Sequence, residues 1–183
     1  MTMKRLGAII AGGQSRRFGA DKGAALLGGV ALIDHVRAAL EPQVDTVIIV
    51  GRTWRGLTSI DDAPSPLLGP LGGLNAALRY AEAHGYSEVL TTGCDTLPIP
   101  LHLTTLLLNA PAVIADHYLI GRWPTHLNSV LHAYLMDSDD HSMRGWMRTC
   151  AAQQVVVPEL LYNLNTPADL AAYALSSSLV ARP

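Results

Sequence analysis

Residues 6–22 read LGAIIAGGQSRRFGADK, an apolar run broken by two glycines and followed by a stretch carrying Arg16, Arg17, Asp21 and Lys22. Leu6 to Ile10 has the composition of a strand buried on both faces, as in a parallel sheet. Ala11-Gly12-Gly13 then turns the chain with no side chain in the way, so backbone amides can approach a ligand closely. Successive N–H groups in such a turn form a concave anion site, and Arg16, Arg17 and Lys22 supply the cations that a triphosphate needs. Two familiar alternatives fail. A Walker loop requires Ser or Thr after its Gly-Lys pair, whereas Lys22 is preceded by Asp21 and followed by Gly23; a dinucleotide fingerprint requires GxGxxG, which is absent. The bland alternative is a tight strand-to-helix turn with solvated arginines.

Working outward, strands and helices alternate. Leu32, Val36 and Leu40 recur at helical spacing and Pro42 closes the stretch. Thr46–Val50 (TVIIV) is a second strand ending at Gly51, Leu74, Leu78 and Ala81 mark a helix from Gly72 to about His84, and Glu88–Thr92 (EVLTT) is a third strand leading into Gly93-Cys94-Asp95. Such alternation implies right-handed crossovers. Val113–Ala115, Tyr118–Ile120, residues 127–132 and Val155–Val157 read as further short strands, and 142–152 as a helix. Thr166 caps a last helix, with Pro167 at its first position and Asp169 in its first turn. The expectation is one domain over residues 1–183, folded as a three-layer α/β/α sandwich on a mostly parallel, Rossmann-like sheet. Residues 1–110 would form its nucleotide half and 111–175 its acceptor half.

Composition narrows the function classes. With 183 residues, 49% hydrophobic and 15% charged, the chain can bury one aliphatic core. A formal net charge of −2 and the lack of a basic stripe disfavour nucleic acid. No apolar run is long enough to span a membrane or serve as a signal peptide, and the two cysteines form no framework, which suits a reducing cytoplasm. The only lysines are Lys4 and Lys22, so one of two falls in the glycine-rich loop.

Asp95 directly follows a strand, at the sheet edge where ligands bind in open α/β folds; there a carboxylate can hold Mg²⁺ together with substrate phosphates, or cap a turn. Asp61-Asp62 precedes Gly69-Pro70-Leu71-Gly72-Gly73, which opens a helix whose N-terminus can face an anion. The seven histidines show no metal-ligand spacing, and Asp137, Asp139 and Asp140 form a solvated turn.

Together these blocks resemble the molybdenum cofactor guanylyltransferase (MobA) family. IAGGQSRRFGADK resembles its LAGGxSxRMGxDK signature, Gly69–Gly73 its GPLAG segment, Thr92–Pro98 its CDxP strand end and YNLNTPADL at Tyr162–Leu170 its NxNTPxDL, in family order along nearly the whole chain. The resemblance implies GMP transfer from GTP to a molybdopterin-type cofactor, with Mg²⁺ on Asp95 and release of pyrophosphate. It implies that Ile10, Ala11, Gly12 and Gly13 cradle the nucleotide, with Arg17 and Lys22 on phosphates. Val50 or Gly51 would touch the base, Asp62 would contact guanine, and Gly69 and Gly72 would border the nucleotide. Asn163 and Asn165 would line the site near metal or acceptor. Arg122-Trp123-Pro124-Thr125 resembles the family's HPT segment on the pterin side, making Pro124 and Thr125 acceptor contacts. Phe18 replaces the usual methionine and Trp123 the usual histidine. Transient contact with cofactor-delivery or molybdoenzyme partners is also implied. Three rivals stand beside this: a sister enzyme transferring CMP, whose loop reads LAAG where this chain has Gly12; a sugar-1-phosphate nucleotidyltransferase; and a catalytically silent nucleotide-binding protein.

Overall fold

Parallel pairing needs crossovers, and the chain supplies them with helices. The computed structural model describes residues 3–12, 21–65 and 68–180. In order they form β1 (Arg5–Ile10), the hairpin β2 (Leu26–Leu27) and β3 (Val30–Ala31), α1 (Leu32–Leu40), β4 (Thr46–Val50), β5 (Thr58–Ile60) and α2 (Gly69–Ala83). Then come β6 (Glu88–Gly93), β7 (Thr96–Leu97), α3 (Leu103–Leu106), β8 (Ala112–Ile114), β9 (His117–Pro124), α4 (Asn128–Asp137), α5 (Met143–Thr149), β10 (Gln153–Val155), β11 (Tyr162–Asn163) and α6 (Pro167–Val180). One seven-stranded sheet runs in the order β10-β8-β9-β6-β1-β4-β5, and every pairing is parallel except the two that β9 makes.

The period of two explains the layers. Leu6, Ala8, Ile10, Ile48, Val50 and Val89 pack with α2, α4 and α5 on one face; Ile9, Val47, Ile49 and Leu90 pack with α1 and α3 on the other. The result is an α/β/α sandwich. Parallel register then aligns the strand ends, since Ile10 pairs with both Val50 and Gly93, and Val50 pairs with Ile60. The chain therefore leaves β1, β4, β5 and β6 along one edge. Among the described residues no helix is long and apolar enough to cross a membrane.

Three local expectations are corrected. Residues 127–132 are not a strand: Leu127, Leu131 and Leu135 are buried at intervals of four and lie in a short 3-10 turn and α4. The helix expected from Gly72 starts at Gly69, because Pro70 sits in the first turn where its missing N–H costs nothing. The third correction concerns β9. Only Ala115 and Asp116 separate it from β8, too short a link for a crossover, so β9 runs antiparallel. Its far end, Pro124, pairs with Glu88 at the start of β6, and the Thr125 amide donates to the Ser87 carbonyl at 2.9 Å. Pro124 and Thr125 thus lie at the amino edge of the sheet, about 16 Å of strand from the Gly93 end.

Candidate functional site

The edge where β1, β4, β5 and β6 end carries two polar centres. In the first, the Lys22 ammonium donates to Asp95 Oδ2 at 2.7 Å and to Asn165 Oδ1 at 2.8 Å. Asp95 is there because β6 ends two residues earlier. Lys22 is there because a single 3-10 turn, Lys22–Ala24, follows the loop after β1. Asn165 arrives from the far end of the chain by a two-stranded ribbon. β11 pairs antiparallel with β7, placing Asn163 opposite Thr96, whose hydroxyl donates to Asn163 Oδ1 at 2.9 Å; the Leu164 amide donates to the Asp95 carbonyl at 2.7 Å. A reciprocal cap then starts α6: the Asp169 amide donates to Thr166 Oγ1 at 3.1 Å, while Asp169 accepts from the Thr166 and Asn165 amides. These bonds hold the carboxylate below its ordinary range, the Thr166 hydrogen bond most strongly.

Lys22 is only 8% exposed, so its charge is felt through little water. Next to it, Cys94 is pushed up to about 11, chiefly by burial and then by the Asp95 charge. It stays a thiol at neutral pH and offers no nucleophile. Among the described residues no three His, Cys, Asp or Glu side chains cluster into a metal cage. A lone, partly exposed carboxylate suits Mg²⁺, which keeps waters and takes phosphate oxygens rather than a full protein shell.

The second centre is Asp62, just past β5. Its carboxylate rests on positions without side chains. A Cβ built at Gly12 would lie 2.8 Å from Oδ2, and those at Gly51 and Gly73 would lie 3.3 Å from Oδ1. Gly51, at φ +83°, packs so closely on Gly12 that its own Cβ would meet the Gly12 amide nitrogen at 2.7 Å. Among the described residues Asp62 Oδ1 is buried with no hydrogen-bond partner, and burial, helped by the Asp61 charge, holds the carboxyl above its usual range. An acceptor-only group left unpaired in a cleft asks for donors.

Other expected positions fall as follows. Ile10, Ala11 and Val50 are buried at the strand ends, and Gly72 packs near Asp62, its Cβ position 3.5 Å from that of the aspartate. Gly69 is exposed at the start of α2. Gly13, Arg16, Arg17 and Phe18 lie outside the described residues. Trp123 leaves no gap for a missing histidine: it is fully buried and its indole N–H donates to Thr91 Oγ1 at 2.9 Å. The histidine at the site edge is His117, heading β9, its Nδ1 buried without a partner among the described residues. Neither His117 nor Thr96 carries a sequence signal of its own. Gly73 and Arg52 had one: each stands beside a glycine singled out for the nucleotide.

Comparison with known proteins agrees with this geometry. Residues 7–155 match the model of the MobA-like NTP transferase domain. The chain is 34% identical to the molybdenum cofactor guanylyltransferase of Rhodobacter capsulatus, covering 92% of this chain and 94% of that one. It is 32% identical to the enzyme of the same name from Acidiphilium cryptum, over 88% and 90%. Among solved structures it superposes on molybdopterin-guanine dinucleotide biosynthesis protein A from Archaeoglobus fulgidus with a TM-score of 0.68 at 18% identity, covering 95% and 99%. It also superposes on an inositol-1-phosphate CTP transferase from T. maritima with a TM-score of 0.67 at 14% identity, covering 98% of each chain.

Proposed function

The chain belongs to the family of MobA-like NTP transferase domains and is a nucleotidyltransferase, and on that premise we propose that it transfers GMP from GTP to a molybdopterin-type acceptor. One observation carries the choice of base. The strand ends that hold Lys22 on Asp95 also hold the Asp62 carboxylate over a floor of glycines, its Oδ1 without a partner among the described residues. Guanine offers its ring N1–H and exocyclic amine as adjacent donors, which a carboxylate accepts together. Cytosine offers one amine beside an acceptor nitrogen, which a carboxylate repels.

In the reaction a phosphate oxygen of the acceptor attacks the α-phosphorus in line, and the bond to the bridging oxygen breaks as pyrophosphate leaves. The attacking oxygen is already ionised, so no general base is required, and the protonated Cys94 forms no covalent intermediate. Lys22 neutralises charge on the α-phosphate and leaving group, with Arg17 assigned the same task by resemblance. Asp95 would hold Mg²⁺, which when bound supplies further charge neutralisation across the phosphates. Asn165 fixes the Lys22 ammonium, and Asn163, anchored by Thr96, faces the acceptor side. Positioning and electrostatics of this kind account for most of the barrier lowering in phosphoryl-type transfer.

Pyrophosphate exchange measured with a molybdopterin-type cofactor and either GTP or CTP tests this. The expected preference for GTP is about 10²-fold or more. Faster exchange with CTP would remove the base assignment, and turnover with a sugar 1-phosphate but not with molybdopterin would remove the acceptor.

A further inference from the structure

We propose that Arg52 is a positioning residue for this reaction: its two-pronged ion pair with Asp21 fixes the turn that presents Lys22, tying the base pocket to the phosphate-binding lysine. The inference rests on the proposed role of Lys22. Arg52 Nη1 donates to Asp21 Oδ1 at 2.6 Å, and Nη2 donates to Asp21 Oδ2. Asp21 is the residue immediately before Lys22. Arg52 is the residue immediately after Gly51, the glycine wedged against Gly12 beside Asp62. A displacement of the base pocket wall therefore reaches the lysine through one ion pair and two peptide bonds.

The guanidinium has further contacts beyond the ion pair. It lies 5.3 Å over the Trp54 ring, and the Trp54 indole N–H donates to Asp34 Oδ1 on α1 at 2.8 Å. On its other side it packs on Gly23, where a Cβ would come within 2.9 Å of Arg52 Nη1 and 2.6 Å of Ile33 Cδ1. A side chain at position 23 would therefore collide with both Ile33 and Arg52, so the turn takes glycine there. The pair is partly exposed, so its Coulomb energy adds little to stability. A planar fork on a carboxylate, however, fixes orientation as well as distance, which a lysine in its place does not. Both partners register the contact: the Arg52 hydrogen bond holds the Asp21 carboxyl below its usual range, and Asp21 pushes Arg52 up. Both Nη atoms engage Asp21, while Nε is buried with no partner among the described residues, so the split between kcat and GTP affinity is what separates a positioning role from a phosphate ligand.

The test compares kcat in GTP turnover with calorimetric GTP affinity for Arg52→Ala, Arg52→Lys, Asp21→Asn, the Arg52→Ala/Asp21→Asn double variant and Arg55→Ala. Misplacing a catalytic group by about 1 Å costs on the order of 100-fold, so Arg52→Ala and Asp21→Asn should each lower kcat by about that factor while GTP Kd stays within about threefold. The double variant should be no slower than either single one, because the two act through one contact. Arg52→Lys, keeping one prong, should recover about tenfold of the loss. Arg55, 87% exposed on the same loop, should be silent when replaced. Weakened GTP binding with kcat intact would make Arg52 a substrate ligand and overturn the proposal, as would additive losses in the double variant or wild-type kcat throughout. If Arg52→Ala fails to fold, Arg52→Lys decides by the same split. A wild-type protein inactive with GTP would sink the parent assignment instead, leaving the affinity measurements to stand.

Discussion

The two edges of the sheet each bury an ion network, and the two are built to opposite ends. At the amino edge, Glu88 is 5% exposed and accepts from Arg5 and from Arg122, at 2.9 Å for Arg122 Nε; Arg122 Nη1 donates to the carbonyls of Thr104, Leu107 and Leu108 at 3.1–3.2 Å. That network is closed, stapling β1, β6 and β9 to α3 and the two residues after it. At the carboxyl edge, Asp62 Oδ1 has no partner among the described residues, and Lys22 meets an aspartate that stays partly open to solvent. Satisfied charge marks structure, and charge held with capacity in reserve marks the site. The contrast also locates function without reference to pocket size.

The largest effect expected is at the closed edge. Glu88→Ala leaves Arg122, itself 9% exposed, as an uncompensated buried charge, and should cost about 3–5 kcal/mol. In a chain of this length that lowers Tm by roughly 10 °C, while kcat of the folded protein stays near wild type. Thermal melts and initial rates on the same samples check it; a rate loss without a Tm loss would erase the distinction between the edges. Asp95→Ala should do the reverse. Losing the Mg²⁺ that Asp95 would hold removes charge neutralisation from the transition state and should cost about 10²–10³ in kcat, with a smaller Tm loss than at Glu88 because Lys22 keeps the Asn165 oxygen as a partner and Asp95 is partly solvated. An unchanged Mg²⁺-dependent rate would take the metal assignment away from Asp95.

A smaller effect comes from Gly12→Ala. The added Cβ would lie 2.8 Å from Asp62 Oδ2 and 3.1 Å from the Gly51 Cα, so one of them must move. Overpacking of this kind costs about 1–3 kcal/mol, expressed here as a loss in kcat/KM for GTP with CTP less affected. Equal losses for both nucleotides would detach Gly12 from base choice. The same clearance gives a physical reason for glycine rather than alanine at position 12.

Much of this was legible in the chain itself. β1, β4 and β6 announce themselves because strands buried on both faces are nearly continuous apolar runs, and Asp95 follows from where such a run stops. The direction of β9 was not legible, since a period of two has no sense of direction, and Pro124 and Thr125 were named by resemblance alone. Short, half-exposed strands such as β5 and the β2–β3 hairpin carry no pattern at all. The bond from Asn165 to Lys22 joins residues 143 positions apart, and only family resemblance pointed there. Arg52 stands beside Gly51, but its pairing with Asp21 was not legible, because the two meet only in the folded chain.

Asp62 offers the finest test of the contrast, because function and stability should move in opposite directions. Burial raises its carboxyl, with Asp61 adding to the shift, so the folded state binds its proton more tightly than the unfolded chain does. Stability is therefore highest with the group protonated and declines as pH rises from the ordinary carboxylate value, near 3.8, through the raised folded value. Above that range the ionised carboxylate, with Oδ1 unpartnered among the described residues, is a standing cost. Asp62→Asn should remove it, raising Tm by on the order of 2 °C once solvent screening is allowed for, and should flatten that segment of the stability–pH profile. The same change replaces one acceptor oxygen with an amine and should reduce the preference for GTP over CTP. A variant less stable at neutral pH, or one that keeps the full base preference, would show that Asp62 is already satisfied and belongs with Glu88 as structure.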